Sequence, residues 1–500
     1  MERSDNDNDE ATHFSMFIGG EWREARRGQT FLSLDPSTTT PWASFPNASE
    51  EDVDDAVRCA QAAFEHPHWS LLTATQRGAL LLRLAELIER DAESLAQLES
   101  RDNGKLLRET RGQLRYLPAF FRYNAGLADK LEGETLPLDK QDMFGYTLRV
   151  PLGVVAAIIP WNSPLYLAAL KLAPALAAGN TLVIKPSEHA SASLVGLMAL
   201  VNEAGFPPGV VNLITGIGAT AGAALTRHPL VRRVAFTGGT AAAREVILGS
   251  TNNLARLSLE LGGKSPNVVF ADADLDSAVN GIVAGIFAAS GQSCVAGSRV
   301  LVQAPIFEEV KRRLVERAAR VRIGAPGDDT TEMGPIATEQ QLEVVERMVG
   351  QALEEGAELL HGGARASLER GWYYQPTILD CRHGGRSILE EEVFGPVLAL
   401  LSFEDEEQAA SLANDTRYGL AAGVWTRDLA RAHRMVRDIR AGIVWVNTYR
   451  AVSAMAPIGG FGHSGYGREG GIDGVRDYTE PKTVWINLST DPMSDPFTMR

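Results

Sequence analysis

The sequence has only three cysteines in 500 residues, Cys59, Cys294 and Cys381, too few for a disulfide framework and without the CxxC spacing of structural zinc or redox sites. That scarcity points to a reducing compartment. The nine histidines form no HExxH or other paired-ligand pattern, and His66 and His68 around Pro67 read as a loop, so no metal is expected. Basic charge is also short: 48 Lys and Arg stand against 63 Asp and Glu, a formal net charge of −15. Surfaces that grip nucleic acid or anionic membranes are built from lysine and arginine, so neither partner is expected, and the surplus acid reads as a means of staying soluble. Long apolar runs are missing as well; residues 154–160 come nearest and are broken by Pro160 and Asn162, so no membrane span is expected. Residues 1–15 are polar and acid-rich, with neither a basic start nor an apolar stretch. They read as a disordered tail rather than a targeting segment, and the protein is expected in the cytoplasm. Internal repeats and low-complexity linkers are absent.

What is present is ordinary globular composition, 45% hydrophobic and 22% charged, over a length that exceeds one hydrophobic core. At least two large domains follow. Residues 17–22 and 31–36 read as two short strands around a turn, and leucines and alanines at three- and four-residue spacing predict amphipathic helices over 51–65 and 75–100. Short apolar runs at 154–159, 181–185, 210–214 and 231–236 alternate with helix-length segments, the pattern of buried parallel strands in an α/β fold. The pattern resumes at 267–270, 299–303 and 442–447, predicting a second α/β domain. Residues 131–148 suggest a hairpin arm, and 482–487 form a strand with no neighbour in sequence. Unpaired strand edges need a partner, so a homo-oligomer is expected.

Three residues suggest chemistry. Cys294 lies among small residues in Gly291-Gln292-Ser293-Cys294-Val295-Ala296-Gly297-Ser298-Arg299, where a ligand can approach the sulfur and backbone N–H groups can point at it. A lone cysteine is also commonly an inert buried hydrophobe. Glu260, in Leu257-Ser258-Leu259-Glu260-Leu261-Gly262-Gly263-Lys264-Ser265-Pro266-Asn267, could activate water, or could be one more solvated charge. Asn162 precedes Ser163-Pro164, a capping hydroxyl followed by proline at a first helical position, and the helix is stopped by Gly179. Its amide and the positive helix end suit a developing negative charge, unless it only caps the helix.

Together these segments resemble the aldehyde dehydrogenase superfamily, whose glutamate and cysteine signatures read approximately LELGGKSP and GQxCxAGSR. Pro160-Trp161-Asn162 is similar to the family's PWN motif, and 459–469 to its GGxxxSGxGRE segment, with Gly462 where a lysine is common. The resemblance runs from Phe17 to Ile486. It implies two Rossmann-like α/β domains with parallel sheets plus a small β oligomerisation arm: a NAD-binding domain over 1–127 and 151–262, a catalytic domain over 263–462, and an oligomerisation element over 128–150 and 478–490, in a homodimer or homotetramer. It implies NAD-dependent oxidation of a small-molecule aldehyde to the acid. Cys294 would attack the carbonyl, Asn162 and the Cys294 N–H would hold the oxyanion, and Glu260 would activate water to hydrolyse the thioester. Lys171 matches a position that could assist proton relay, or could be a surface or structural lysine.

For the cofactor, Lys185-Pro186-Ser187-Glu188 resembles the family's KPSE segment, in which Lys185 and Glu188 would contact the adenosine ribose. An acid there repels a 2′-phosphate, so NAD is favoured and NADP remains possible. Phe236-Thr237-Gly238-Gly239-Thr240 resembles the family's pyrophosphate loop and opens a helix, with Ala243 where a second glycine is common. Gly216-Ile217-Gly218-Ala219-Thr220-Ala221 imitates a dinucleotide fingerprint but has Gly238 where its acid belongs, so it reads as a decoy for the pyrophosphate. Gly262-Gly263-Lys264-Ser265 fails as a P-loop because position 258 is serine. Glu391-Glu392-Val393-Phe394-Gly395-Pro396 resembles the family's EEIFGPV, placing Glu392 on the nicotinamide ribose and Phe394 beside the nicotinamide. The resemblance also puts Ile158, Pro160, Trp161, Ser187, Gly218 and Leu261 along the cofactor. Rival readings are a CoA-acylating dehydrogenase, which typically lacks the equivalent of Glu260, and an idle binding protein on the same fold. Ser163, Leu167, Leu170, Val452 and Ile458 fall at substrate-tunnel positions and predict an aliphatic pocket, with Arg450 at its mouth or facing solvent.

Overall fold

Short runs of valine, isoleucine and alanine with no polar alternation suit strands covered on both faces. In the computed structural model, which describes residues 11–493, 495 and 497, they form two such sheets. The larger has eight strands in the order Gly465–Tyr466, Arg256–Glu260, Val231–Thr237, Val154–Ile159, Thr181–Pro186, Val211–Leu213, Met16–Ile18 and Glu21–Arg23. Its five inner strands are parallel and its edge strands antiparallel. The chain runs outward from Val154–Ile159 in one direction, then returns to lay Val231–Thr237 on that strand's other side. A crevice opens at the carboxyl ends of the strands where the order reverses, and such crevices are where α/β sheets bind ligands.

The second sheet has seven strands, Glu358–His361, Thr377–Asp380, Val397–Phe403, Arg299–Gln303, Pro266–Val269, Ala421–Trp425 and Ile443–Val446, all parallel except the first pair. The connection from the first sheet is short, because Arg256–Glu260 ends only six residues before Pro266. Helix Pro164–Ala177 is apolar around nearly its whole circumference and is buried on all sides, between the first sheet and helices Ala74–Arg90 and Leu107–Leu127.

Several expectations need correction. Residues 17–22 and 31–36 do not form one ribbon: Met16–Ile18 and Glu21–Arg23 extend the large sheet, whereas Thr30–Leu34 pairs with Pro41–Pro46 elsewhere. The tail expected over 1–15 lies outside the described residues up to position 10, and Thr12–His13 is a strand parallel to Pro41–Pro46. The helix expected over 75–100 is two, Ala74–Arg90 and Ala92–Asn103, broken at Asp91. The strand at the chain's end finds its partner far away in sequence: Thr479–Asn487 pairs antiparallel with Met143–Pro151, and Thr135–Leu136 completes a three-stranded arm. Trp485, Ile486, Phe144 and Leu148 remain exposed on it. Among the described residues no helix is long and apolar enough to cross a membrane.

Candidate active site

The strand Val154–Ile159 ends at the crevice and delivers Pro160, Trp161 and Asn162 to it. Ser163 takes the capping position of the next helix but does not cap it; its Oγ instead accepts from Lys105 Nζ at 2.6 Å. The helix end is satisfied from another element, by Leu165 N–H donating to Glu99 Oε2 at 3.2 Å. Asn162 is thereby free of capping duty. Its Nδ2 donates to the Gln292 carbonyl at 3.0 Å, which ties it to the segment carrying Cys294.

That segment is an irregular loop between helix Leu275–Ile286 and strand Arg299–Gln303. Ala289, Ser290 and Gly291 all have left-handed backbone, φ 51°, 53° and 72°. Only glycine serves at 291, because a Cβ there would lie 2.1 Å from the Gly395 carbonyl oxygen. Such a conformation persists only when surrounding contacts impose it. Here Ala289 N–H donates to Glu109 Oε1, Ser290 Oγ to the Gly334 carbonyl and Ala337 N–H to Gln292 Oε1, each at 2.8 Å, and Tyr449 Oη donates to the Val295 carbonyl at 3.0 Å. Cys294 is a free thiol opening on a cavity. Burial pushes it up to about 12, aided by the charges of Glu392 and Glu260 and opposed by the Val295 N–H and Arg450.

Glu260 closes strand Arg256–Glu260, buried, with Oε1 lacking any partner among the described residues. Burial, then the charge of Glu469, raises its carboxyl well above the usual range, while Lys171 and Arg468 oppose the shift. Lys171 is no surface residue: its buried Nζ donates to Glu469 Oε1 at 2.5 Å and to Thr237 Oγ1 at 2.6 Å. Glu392 accepts from Gly263 N–H at 3.0 Å, and burial pushes its carboxyl up to about 7. A side chain at Gly262 would collide with that carboxylate. Phe394 stands edge-on to Trp161, ring centres 5.3 Å apart.

Two cavities of about 280 Å³ each meet at this point. One is walled by Pro160, Trp161, Gly238, Gly239, Leu261, Glu392 and Phe394; the other by Tyr116, Tyr166, Leu170, Trp445, Arg450, Val452 and Ile458. Asn162, Leu167, Thr237, Glu260 and Cys294 face both. The first cavity leads to helix Thr240–Ser250, which starts at Gly239 without a side-chain cap, so its first N–H groups are open to an anion. The crowded glycine is Gly238, where a Cβ would strike the Phe236 ring. A chain of expected cofactor residues continues along the strand ends outside the cavity. Ile158 sits between Lys185 and Phe236 on adjacent strands, Ser187 N–H donates to the Ile159 carbonyl at 2.8 Å, and Lys185 Nζ is 3.2 Å from Glu188 Oε2. Burial would raise the Glu188 carboxyl, but Lys185 and a backbone N–H outweigh it and hold it low. Gly218, in the loop read as a decoy for pyrophosphate, brings its N–H to 3.4 Å from Glu188 Oε1.

A profile of the aldehyde dehydrogenase family matches residues 22–484. The chain belongs to the aldehyde dehydrogenase family. It is an oxidoreductase of the aldehyde group. It is 50% identical to the (Z)-2-((N-methylformamido)methylene)-5-hydroxybutyrolactone dehydrogenase of Acinetobacter baylyi, across 97% of this chain and 99% of that protein. Its structure is similar to a putative aldehyde dehydrogenase from Burkholderia cenocepacia, with TM-score 0.94, 44% identity and coverage of 97% and 99%. It is also similar to the NAD+ complex of an aldehyde dehydrogenase from Bacillus cereus, with TM-score 0.93, 42% identity and coverage of 95% and 97%.

Some parts of this aldehyde dehydrogenase site were not singled out in the sequence. Glu469 lies inside a recognised motif, yet nothing local says that it pairs with Lys171, 298 positions away. Tyr116 and Gln113 share one helix face, a spacing that reads equally well as core. With Tyr166 and Trp445 they correct the expectation of an aliphatic pocket, since three aromatic rings line it. The departure at Gly462 has a local reason: φ is 58°, and a Cβ would lie 2.8 Å from the Arg417 carbonyl oxygen.

Proposed function

We propose that this enzyme oxidises an aldehyde to the carboxylic acid with NAD, through a covalent intermediate on Cys294. The observation that carries the reading is that Cys294, Asn162 and Glu260 stand where the two cavities join, beside Thr237, whose hydroxyl is engaged by Lys171. The cavity beside Gly238 and Gly239 would take the nucleotide, with the open end of helix Thr240–Ser250 to hold its pyrophosphate, Lys185 and Glu188 its adenosine ribose, and Glu392 and Phe394 its nicotinamide end. The acidic Glu188 disfavours a 2′-phosphate, although NADP is not barred. Bound there, the nucleotide would supply the hydride acceptor.

The aldehyde enters by the other cavity. The Cys294 thiol passes its proton to solvent water and its sulfur bonds the carbonyl carbon; the Asn162 amide and the Cys294 N–H receive the oxyanion. Loss of hydride from that carbon leaves a thioester. Glu260, deprotonated, takes a proton from water, whose oxygen displaces the sulfur and frees the acid. The raised carboxyl of Glu260 suits a base that must also release its proton. The chain then divides as a nucleotide-binding part over 1–127 and 151–262, a catalytic part over 263–462 and an oligomerisation element over 128–150 and 478–490. The exposed apolar side chains of the three-stranded arm support a homodimer or homotetramer.

The test is Cys294→Ala. Aldehyde-driven NADH formation is expected to fall by roughly 10⁴-fold or more while NAD still binds. Undiminished NADH formation would end the proposal. With CoA supplied to the unaltered enzyme, free acid is the expected product; acyl-CoA would replace hydrolysis by thiol transfer.

A further inference from the structure

The cavity on the aldehyde side carries a set of polar groups that the oxidation itself does not use. Arg450 lies on its wall with left-handed backbone, φ 61°, a costly conformation for a residue with a side chain. One guanidinium nitrogen donates to the Ala284 carbonyl at 3.1 Å, and no carboxylate pairs with the charge among the described residues. The carboxylates that share the wall, Glu260 and Glu469, belong to the Cys294 end, and Glu469 is held by Lys171. Lys105, behind Ser163, is balanced by Glu99 at 3.7 Å. Arg450 has no such counterpart.

The neighbouring Ser163 hydroxyl has the same polarity. Ser163 Oγ accepts from Lys105 Nζ at 2.6 Å and from Gln113 Nε2 at 3.4 Å, so its lone pairs are engaged and its hydrogen is free. The Tyr166 hydroxyl, buried without a partner among the described residues, lies toward the Cys294 end with Glu260 and Glu469 and is no part of this set. A guanidinium and a free hydroxyl hydrogen can only donate. The ligand they match is an oxygen acceptor, and an unbalanced cation in a partly enclosed cavity selects an anionic one.

We propose that the substrate is an aldehyde bearing a carboxylate at its far end, bound by Arg450 with a hydrogen bond from Ser163, so that the aldehyde carbon reaches Cys294. This rests on the aldehyde-oxidising reading above and adds its substrate class. Apolar Leu167, Leu170, Val452 and Ile458 hold the chain between the two ends.

The test compares succinic and adipic semialdehydes with their methyl esters and with butanal and hexanal. In the unaltered enzyme at least one semialdehyde should exceed its ester and its alkanal in kcat/KM by roughly tenfold or more, with the advantage shrinking as salt is added. In Arg450→Met the acid-to-alkanal ratio should fall about tenfold or more through KM, and Arg450→Lys should keep part of it. An equal loss for alkanals, or an ester as good as its acid, would overturn the assignment. Calorimetric binding of adipate and succinate separates this failure from failure of the underlying reaction. Binding of either that Arg450→Met abolishes sustains the carboxylate site even without turnover, and binding of neither refutes it even if neutral aldehydes are oxidised.

Discussion

The two cavities that meet at Cys294 are built by different means. Toward Gly238 and Gly239 the walls combine strand ends, an uncapped helix start and the crowded Gly238 and Gly262 with the side chains of Trp161, Leu261, Glu392 and Phe394, so main chain sets part of the shape. Toward Trp445 and Arg450 the walls are side chains lent by helix Leu107–Leu127, helix Pro164–Ala177 and the loop 447–458. Main-chain walls cannot change without changing the fold, whereas side-chain walls change one residue at a time. The arrangement therefore fits one invariant partner on the first side and an adjustable one on the second. The junction belongs to neither wall, and a cut there should injure every substrate alike.

The largest such injury is expected from Glu260→Gln, which removes the proposed base and keeps the size. Steady-state turnover should fall roughly 10²- to 10⁴-fold. A rapid burst of NADH, of about one equivalent per active site, should survive in stopped-flow traces because acylation precedes the step that Glu260 serves. A burst lost in parallel with turnover would put Glu260 in the first half of the reaction instead. Asn162→Ala comes next, at roughly 10²- to 10³-fold in kcat for one missing oxyanion donor. The loss should be the same for acidic and neutral aldehydes. A loss confined to one substrate class would move Asn162 from the junction to the adjustable wall.

This division also governs how much could be read from the sequence. The main-chain side is written in contiguous motifs, because a strand end, a tight turn and a helix start must follow one another; Phe236 to Thr240 and Lys185 to Glu188 were legible for that reason. Four of the five inner strands of the large sheet were visible from their short apolar runs. Strand Arg256–Glu260 was hidden by its charged start and Ser258, and Ala421–Trp425 by its glycine and alanines. The side-chain side has no motif. Ser163 and Arg450 were legible only by their distance from neighbouring motifs, whereas Lys105 and Gln113 join them only through folding, and each alone is an unremarkable polar residue. The same holds for Lys171 with Glu469, and for Glu99 capping the helix that Ser163 was expected to cap. Pairings between distant segments are fixed by topology, and one sequence does not state its topology.

Glu392 tests the main-chain wall with the smallest expected effect. Its carboxyl titrates near 7 in the folded protein against an ordinary 4.5, with burial as the main cause. A carboxyl raised by folding binds its proton more tightly in the native state, so the stability it contributes is full below about pH 4.5 and is lost as pH rises through about 7. The difference between 4.5 and about 7 is worth roughly 3–4 kcal/mol at most. Glu392→Gln should therefore flatten part of the fall in Tm between about pH 5 and 8 and raise Tm at the upper end. Some slope should remain, since Asp102 is pushed up to about 7 by its own burial and has the same sign. If Glu392 belongs to the nucleotide side, the variant should also raise KM for NAD while the acid-to-alkanal ratio stays with Arg450. An unchanged Tm slope would show that the native carboxyl is not held protonated there. A shift in aldehyde selectivity without a change in NAD binding would show that the two walls are one.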